Sequence, residues 1–217
     1  KQKTAYEMLR SLVGSEMCIR DRVKGLTDLV DSNPVRAIDP EKAHEMAAAV
    51  REAARVGDSL GGVVECIVFN TPAGLGEPVF GKMTSDLAAA AMSIPAARGV
   101  EFGVGFDSAS MLGSESNDEY VFEVGRVRTK TNRCGGIQGG ITNGMPIVLR
   151  VAFKPTASIR KRQRTVDLKT GRPAYLQVEG RHDPCVVPRA VPVVEAMVNL
   201  VLADHMILAG LIPRALK

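Results

Sequence analysis

The sequence predicts an α+β fold, because segments with the two-residue period of strands alternate with segments that have helical spacing. Residues 63–69 (VVECIVF) and 145–153 (MPIVLRVAF) alternate between two faces, as strands do. Residues 191–208 are a long apolar run in which valine, methionine and leucine recur near helical spacing. No internal repeat and no linker divides the sequence, so we expect a single compact unit.

Composition limits the class of protein. The 217 residues are 45% hydrophobic, which is enough for a core, and 28 basic against 24 acidic residues give a net charge of only +4. This mild charge and an aromatic content of 4%, without tryptophan, predict no nucleic-acid partner. The longest apolar stretches are interrupted by charged residues, which predicts no membrane span.

The cysteines indicate a reducing compartment. They stand at positions 18, 66, 134 and 185 and include no CxxC pair, and only three histidines are present. We therefore expect free thiols, a cytoplasmic protein and no metal site.

The first 22 residues look foreign to the rest of the chain. The run SLVGSEMCIRDR (residues 11–22) resembles translated sequencing-adaptor sequence, and the segment as a whole has no sustained period. We expect residues 1–22 to be a non-native leader, disordered or loosely structured, followed by one domain over residues 23–217. This interpretation implies that the natural N-terminus is missing.

The first helix is predicted to begin after Asp39, because an aspartate N-cap accepts hydrogen bonds from free N–H groups and Pro40 suits the first helical position. The alanine-rich run extends to Val56, and Gly57 can end it. The strand at residues 63–69 has apolar side chains on most of both faces, which predicts that it is well buried. A turn-rich loop follows at residues 71–76.

The second helix (DLAAAAMSI, residues 86–94) follows Thr84 and Ser85, either of which can cap it, and Pro95 ends it. A strand is predicted over residues 100–106. Residues 107–144 are rich in glycine, serine and asparagine and predict a long surface excursion, which in a compact domain is usually functional or disordered.

The remaining elements are a strand, a hairpin and a helix. The strand over residues 145–153 places four apolar side chains on one face, namely Ile147, Leu149, Val151 and Phe153. A hairpin turn is predicted at residues 169–172, and residues 191–208 are predicted to be a core helix.

Two segments have the composition of binding loops. Residues 135–140 (GGIQGG) place four glycines in six positions, so that the backbone can approach a ligand and offer N–H groups to a phosphate; a flexible turn explains the pattern equally well. Residues 154–158 (KPTAS) directly follow a strand, whose end is a rigid mount for a cation and two hydroxyls. These groups suit a phosphate or a ring carbonyl, and an N-cap with a turn is the equal alternative.

Residues 181–185 (RHDPC) are dense in reactive groups. In an extended segment Arg181 and Asp183 share a face, so the cation would favour an ionised carboxylate that can accept a proton beside a ligand. A Cys–His catalytic pair has little support, because adjacent strand residues point to opposite faces. The basic run at residues 160–164 is interpreted as a solvated face or as a rim that steers an anionic substrate.

Five segments together carry a specific resemblance. They are GDSLGGVVE (57–65), PAGLGEPVF (72–80), AMSIPAARGVEFG (91–103), GGIQGGITNG with KPTASI (135–144 and 154–159), and GRHDPCVVPRAVPVVEAM (180–197). In this order they resemble the C-terminal half of chorismate synthase, and they cover nearly everything after residue 22.

The resemblance implies a fold and a reaction. The family fold is a sandwich in which antiparallel sheets pack on a helical layer, and it assembles as a homotetramer. The family is a lyase of the shikimate pathway, which converts 5-enolpyruvylshikimate 3-phosphate to chorismate by 1,4-anti elimination of phosphate. It requires reduced FMN, and NAD(P)H serves only indirectly, to reduce the flavin.

The resemblance also carries site residues over, motif by motif. The FMN contacts are expected at Pro95, Ala96, Gly139, Lys154, Pro155, Thr156, Ala157, Ser158 and Arg181. Asp183 matches the family acid that is proposed to lie beside flavin N5 and to help move the proton, so it is the expected catalytic residue. Lys154 and Arg181 would stabilise an electron-rich flavin electrostatically.

Two family motifs are missing from the sequence. Neither the Gly-Glu-Ser-His-Gly motif nor the Gly-Arg-x-Ser-Ala-Arg segment, with its substrate-binding arginines and a histidine acid, occurs here. We therefore expect little or no activity from this chain alone, and apolar faces that favour aggregation. The alternatives are a non-catalytic flavin- or nucleotide-binding module, and an RNA-binding module that uses residues 160–164.

Overall fold

The structure is a computed structural model that describes residues 10–15, 28–77, 79–123 and 125–212. Its centre is a four-stranded sheet built from β1 (Arg10–Ser15), β2 (Gly62–Val68), β3 (Ala97–Phe102) and β8 (Ile147–Phe153). The strand order is β1–β2–β8–β3. β8 pairs antiparallel with both β2 and β3, and β1 pairs parallel with β2.

Two helices, α2 (Met83–Ser93) and α4 (Val187–Leu208), cover one face of this sheet. The helix α1 (Pro40–Arg55) buries Ala43 and Met46 in a smaller cluster with Val35 and Ala37, and a short α3 (Gly113–Ser116) follows a 3₁₀ helix at Gly105–Ser110. The core lies between the sheet and helices α2 and α4. The predicted α+β class, with antiparallel strands packed on helices, is confirmed.

The two faces of the sheet differ in burial. The buried face carries alternate residues of β2 and β8, namely Val64, Cys66, Val68, Ile147, Leu149, Val151 and Phe153. On the other face the Arg150 guanidinium lies 2.5 Å from Glu65 and 3.3 Å from Glu101, and all three side chains are half-buried. The prediction that β2 is well buried holds fully for one face; on the other face Val63 is buried, while Glu65 and Ile67 are half-buried beside the ion triad.

The first helix begins where it was predicted, but the second helix begins earlier than predicted. The Asp39 carboxylate accepts hydrogen bonds from the N–H groups of Glu41 and Lys42, and Gly57 follows α1 with a φ of +71°. α2 begins at Met83, before the predicted caps, and has no side-chain cap. The backbone N–H of Met83 instead donates to the carbonyl of Gly140, at 2.9 Å, so a distant loop replaces the capping side chain.

The predicted excursion at residues 107–144 is folded into small elements. It contains the 3₁₀ helix, α3, and two hairpins formed by β4 (Tyr120–Glu123) with β5 (Arg126–Thr129) and β6 (Ile137–Gln138) with β7 (Ile141–Thr142). β3 ends earlier than predicted, because Gly103 turns the chain with a φ of +56°. The hairpin predicted around residues 169–172 joins β9 (Gln163–Val166) and β10 (Pro173–Leu176).

α4 begins at Val187, four residues before the predicted start, and its first turn contains a proline, which that position tolerates. By length and composition alone α4 could cross a membrane, which the sequence did not predict, and core helices of globular proteins meet the same criterion. One face of α4 is buried, and His205 on that face lies 2.8 Å from Asp86 of α2. α4 is thus a core helix, as predicted.

Part of the predicted leader pairs with the sheet. Arg10–Ser15 forms β1 alongside β2, and residues 1–9 and 16–27 lie outside the described residues. The interpretation of residues 1–22 as a non-native leader stays a prediction.

Candidate functional site at one end of the sheet

Two predicted segments lie side by side where β3 begins and β8 ends. The backbone N–H of Lys154 donates to the carbonyl of Ala96, at 3.0 Å, directly beyond the pairing of Ala97 with Phe153. Pro155 has no N–H to continue the ladder, so β8 stops there. Ala96 has a φ of +71°, a conformation that L-residues rarely adopt, which marks a tightly specified turn after Pro95.

The segment that precedes β2 closes over this end of the sheet. The Ser59 hydroxyl donates to the carbonyl of Thr156, at 2.6 Å. At Gly61 a methyl group would lie 2.4 Å from the carbonyl oxygen of Phe153 and 3.0 Å from the ring of Pro155. A glycine is therefore needed at position 61 to let the two backbones approach each other.

The segment around Asp183 docks on the same end. The backbone N–H of Leu60 donates to the carbonyl of Pro184, at 2.8 Å, and Leu60 pairs with Cys185. A cleft of about 100 Å³ results, lined by Ala54, Gly57, Asp58, Ser158, Ile159, Arg160, His182, Asp183 and Pro184. The structure thus brings Ser158 and Asp183 to one cleft, next to Pro95, Ala96 and the rest of residues 154–158.

The charges in the cleft differ from the prediction. The cation paired with Asp183 is Arg189 of α4, whose Nη1 lies 3.2 Å from Oδ2, and not Arg181. Arg181 is exposed and makes no ion pair within the described residues. The first turn of α4 begins only four residues after Asp183, so the helix folds Arg189 back onto the carboxylate.

Asp58 is a second carboxylate in the cleft. Its Oδ2 accepts a hydrogen bond from Lys161 Nζ, at 2.7 Å, and its Oδ1 accepts from the N–H of Ser59. These hydrogen bonds, with that of Lys161 the stronger, hold the pKa of Asp58 below its usual range. Asp58 is therefore a fixed negative group that positions the Lys161 ammonium at the rim of the cleft.

Cysteine chemistry finds no support in the cleft. Cys185 is buried, and burial raises the pKa of its thiol, so the thiolate is disfavoured. The His182 ring lies 3.1 Å from the carbonyl of Val178. Among the described residues no group of three or more metal-ligating side chains lies close enough together to hold a metal ion.

Thr156 provides the clearest sign of a ligand. Its side-chain hydroxyl is buried and has no hydrogen-bond partner. A buried polar group without a partner costs about 1–3 kcal/mol, so a ligand oxygen at this position would relieve the cost. Lys154 and Ser158, two residues before and two residues after Thr156, are exposed.

Gly139 lies away from the group formed by Pro95, Ala96, residues 154–158 and Asp183. It occupies the turn between β6 and β7, with a φ of +61° and open space around its Cα. The adjacent Gly140 contacts the N-terminus of α2, whereas Pro95 follows the C-terminus of that helix, and 11 helical residues span about 16 Å. Within one chain, Gly139 and Lys154 therefore lie at opposite ends of β8.

Several residues of the site were missed by the sequence analysis, namely Asp58, Ser59, Gly61 and Arg189, whereas Lys161 belongs to the basic run 160–164 that was interpreted as a solvated face or a rim. The glycines of GDSLGG were the available signal, because glycines directly before a buried strand indicate a close backbone approach. No local pattern pairs Asp58 with Lys161 or Asp183 with Arg189.

Comparison with known proteins identifies the family. The family model described as chorismate synthase matches residues 4–207. The chain belongs to the chorismate synthase family. The match starts inside the predicted leader and ends in the last turn of α4.

Known members of the family match most of this chain and about half of their own length. The chorismate synthase of Trichodesmium erythraeum is 59% identical over 179 residues, which are 82% of this chain and 48% of that protein. The chorismate synthase of Archaeoglobus fulgidus is 55% identical over 199 residues, covering 92% of this chain and 55% of the relative. A crystal structure of chorismate synthase superposes with a TM-score of 0.70 at 34% identity, over 86% of this chain and 48% of that one. The chain spans about half the length of the curated relatives it matches.

Proposed function

We propose that this chain forms the cofactor-binding end of a cytoplasmic chorismate synthase. The reaction is the 1,4-anti elimination of phosphate from 5-enolpyruvylshikimate 3-phosphate, a lyase step of the shikimate pathway. The observation that carries the proposal is the convergence of Pro95, Ala96, Lys154, Thr156 and Asp183 at one end of the sheet, in a chain of this family.

The residues of this end fit FMN. The Lys154 ammonium and the Ser158 hydroxyl are exposed and suit a phosphate or a ring carbonyl, and the unpartnered hydroxyl of Thr156 can donate to a ligand oxygen. Arg181, exposed on the adjoining segment, adds a positive charge. When bound in its reduced form, FMN supplies electron density to the substrate ring as phosphate leaves.

Asp183 is the proposed proton acceptor. It is partly buried in the cleft, and the exposed Arg189 guanidinium lies 3.2 Å from it, which favours its ionised form. A carboxylate placed in this way can take a proton from a neighbouring group without rearrangement of the chain. Ser158 lines the same cleft and can hydrogen-bond a ligand next to the carboxylate.

The chain alone should have little catalytic activity. No segment of this chain supplies the arginines and histidine that the family uses for the substrate, so the chain alone should bind the cofactor weakly and release little phosphate. Its relatives' additional half, and the homotetramer expected for the family, would complete the site.

Cofactor binding tests the assignment directly. FMN is titrated into the 217-residue chain, with flavin fluorescence as the readout, for the wild type, Lys154→Gln and Thr156→Val. We expect saturable binding that either substitution weakens about tenfold, since Lys154→Gln removes the positive charge of the donor and Thr156→Val removes the hydroxyl donor. Arg51→Gln, on the exposed face of α1, is the matched control and should bind like the wild type. Equal binding by all four proteins would contradict the cofactor site.

Catalysis is tested by adding the N-terminal half of the Trichodesmium erythraeum relative, with reduced FMN and substrate, and measuring phosphate release. Asp183→Asn should retain FMN binding and lose phosphate release. FMN binding without phosphate release in the wild-type mixture would indicate the non-catalytic flavin-binding alternative.

A further inference from the structure

We propose a second ligand site, for a small phosphate-bearing anion, in the cleft between the β4–β5 hairpin and the loop at residues 70–73. The cleft has a volume of about 310 Å³. It is lined by Asn70, Thr71, Pro72, Ala73, Arg126, Val127, Arg128, Asn143 and Gly144. Two arginines and no acidic residue contribute to its walls, so the cleft carries a net positive charge.

The two arginines are available to a ligand. Arg126 and Arg128 are two residues apart on β5, so their side chains leave the strand on the same side. Both are exposed, and neither makes an ion pair in the part of the chain that the structure describes. Each guanidinium presents a planar set of donors that matches two oxygens of a phosphate.

Thr71 supplies the second, independent observation. This residue is 3% exposed, and its hydroxyl is buried without a hydrogen-bond partner. A valine would fill the same space without that cost. Thr71 is among the residues that line the cleft, and an anion bound there is the acceptor that its hydroxyl lacks in the free protein.

Both walls of the cleft are held by the same glycine-rich segment. The Thr142 hydroxyl donates to the carbonyl of Pro72, at 2.6 Å, and accepts from the N–H of Leu75, at 2.9 Å. The Asp118 carboxylate, at the base of the hairpin, accepts from the N–H groups of Arg133 and Cys134. The loop and the base of the hairpin are therefore both held by residues that flank the glycine-rich segment 135–140, which brings the two walls of the cleft together.

These features select the ligand chemistry. Two guanidinium groups and a hydroxyl suit a dianion with at least three acceptor oxygens, which inorganic phosphate and a small phosphate monoester share. The cleft lies at the N-terminal end of β8, away from Lys154, so the inference does not depend on the proposed cofactor site.

Inorganic phosphate is the first probe, titrated into the 217-residue chain by isothermal calorimetry at constant ionic strength. We expect saturable binding that Arg126→Gln or Arg128→Gln weakens about tenfold and the double substitution by about a hundredfold. Arg51→Gln should bind like the wild type. Glycerol 3-phosphate, titrated in parallel, distinguishes the two sources of the group: tighter binding than phosphate indicates a monoester, and weaker binding indicates free phosphate.

Thr71→Val separates a ligand role from a structural one. It should weaken phosphate binding while leaving the thermal unfolding temperature unchanged or raised, since no hydrogen bond of the free protein is lost. A lowered unfolding temperature with unchanged phosphate affinity would overturn the proposal. So would unsaturable binding, or binding that survives in the arginine double variant and disappears in Lys154→Gln. That last result would leave the cofactor site standing and show that phosphate binds there instead.

Discussion

The two ends of β8 differ in how their backbones are held, although the sequence predicts a binding loop at each end, at residues 135–140 and 154–158. At the C-terminal end, residues 154–158 are mostly exposed and leave the Thr156 hydroxyl without a partner. At the N-terminal end, Gly135, Gly136 and Gly140 are buried, and a methyl group on any of them would lie within 3 Å of a neighbouring atom. Dense glycines here reflect close packing of the backbone, so at this end a ligand is expected in the cleft beside Arg126 and Arg128 and not on the glycine loop itself.

The Asp118 carboxylate holds the backbone near the N-terminal end of β8. Asp118 accepts hydrogen bonds from the Thr131 hydroxyl and from the N–H groups of Arg133 and Cys134. Burial by itself would raise the pKa of Asp118, but these hydrogen bonds outweigh it and lower the pKa to about 2. Burial and the neighbouring carboxylate raise the pKa of Cys134 to about 11, so this thiol stays protonated.

The largest effect is expected for Asp118→Ala. It leaves three donors without their acceptor, and we expect the free energy of unfolding to fall by about 4 kcal/mol. Urea denaturation followed by circular dichroism measures it, with Asp204→Ala on the exposed side of α4 as the control. A loss below about 1 kcal/mol would mean that the Asp118 hydrogen bonds do not hold the N-terminal end of β8 in place.

Gly61→Ala tests the opposite end. The added methyl would lie 2.4 Å from the carbonyl oxygen of Phe153, so β8 and Pro155 must shift. We expect a loss of about 3 kcal/mol in unfolding free energy, together with weaker FMN binding. Gly113→Ala, where the same group meets open space, is the matched control. Wild-type stability in Gly61→Ala would show that this end tolerates displacement.

The pH dependence of stability tests the Asp118 hydrogen bonds without a deletion. The folded pKa of about 2 lies below the ordinary value of about 3.9 for an unfolded aspartate. The carboxylate therefore stabilises the fold fully above about pH 5 and progressively less as the pH falls toward 2. The difference in unfolding free energy between the wild type and Asp118→Asn should shrink by about 2 kcal/mol over that range. A difference that stays constant would mean that the charge of Asp118 contributes nothing.

Gly139→Ala should have a small effect. The position has open space but a φ of +61°, so the cost is one of backbone conformation, about 1 kcal/mol. Thermal unfolding gives the value, and Gly171→Ala, also with a positive φ and open space, should match it. A clearly larger loss at Gly139 would reveal a contact beyond the backbone.

The smallest effect on stability is expected for Thr156→Val. The hydroxyl has no partner in the free protein, so the unfolding free energy should change by less than about 0.5 kcal/mol while FMN affinity falls. Ser59→Ala, which removes the hydrogen bond to the Thr156 carbonyl, should instead cost about 1 kcal/mol. If Thr156→Val is the more destabilising of the two, the hydroxyl has a structural partner and the argument for a ligand fails.

The sequence by itself determined the α+β class, the family, the start of α1 at Asp39 and the alternation along β8. The family follows from five motifs in order along the chain, and the other features depend on residues a few positions apart, the range at which period and capping are encoded. The tertiary structure decided that Arg189 rather than Arg181 pairs with Asp183, that Gly140 completes the N-terminus of α2, and that Gly139 and Lys154 lie at opposite ends of one strand. The start of α4 sets the first of these relations, and the packing of the sheet with the loops around it sets the other two, because it brings together backbone segments far apart in the sequence that no local pattern connects.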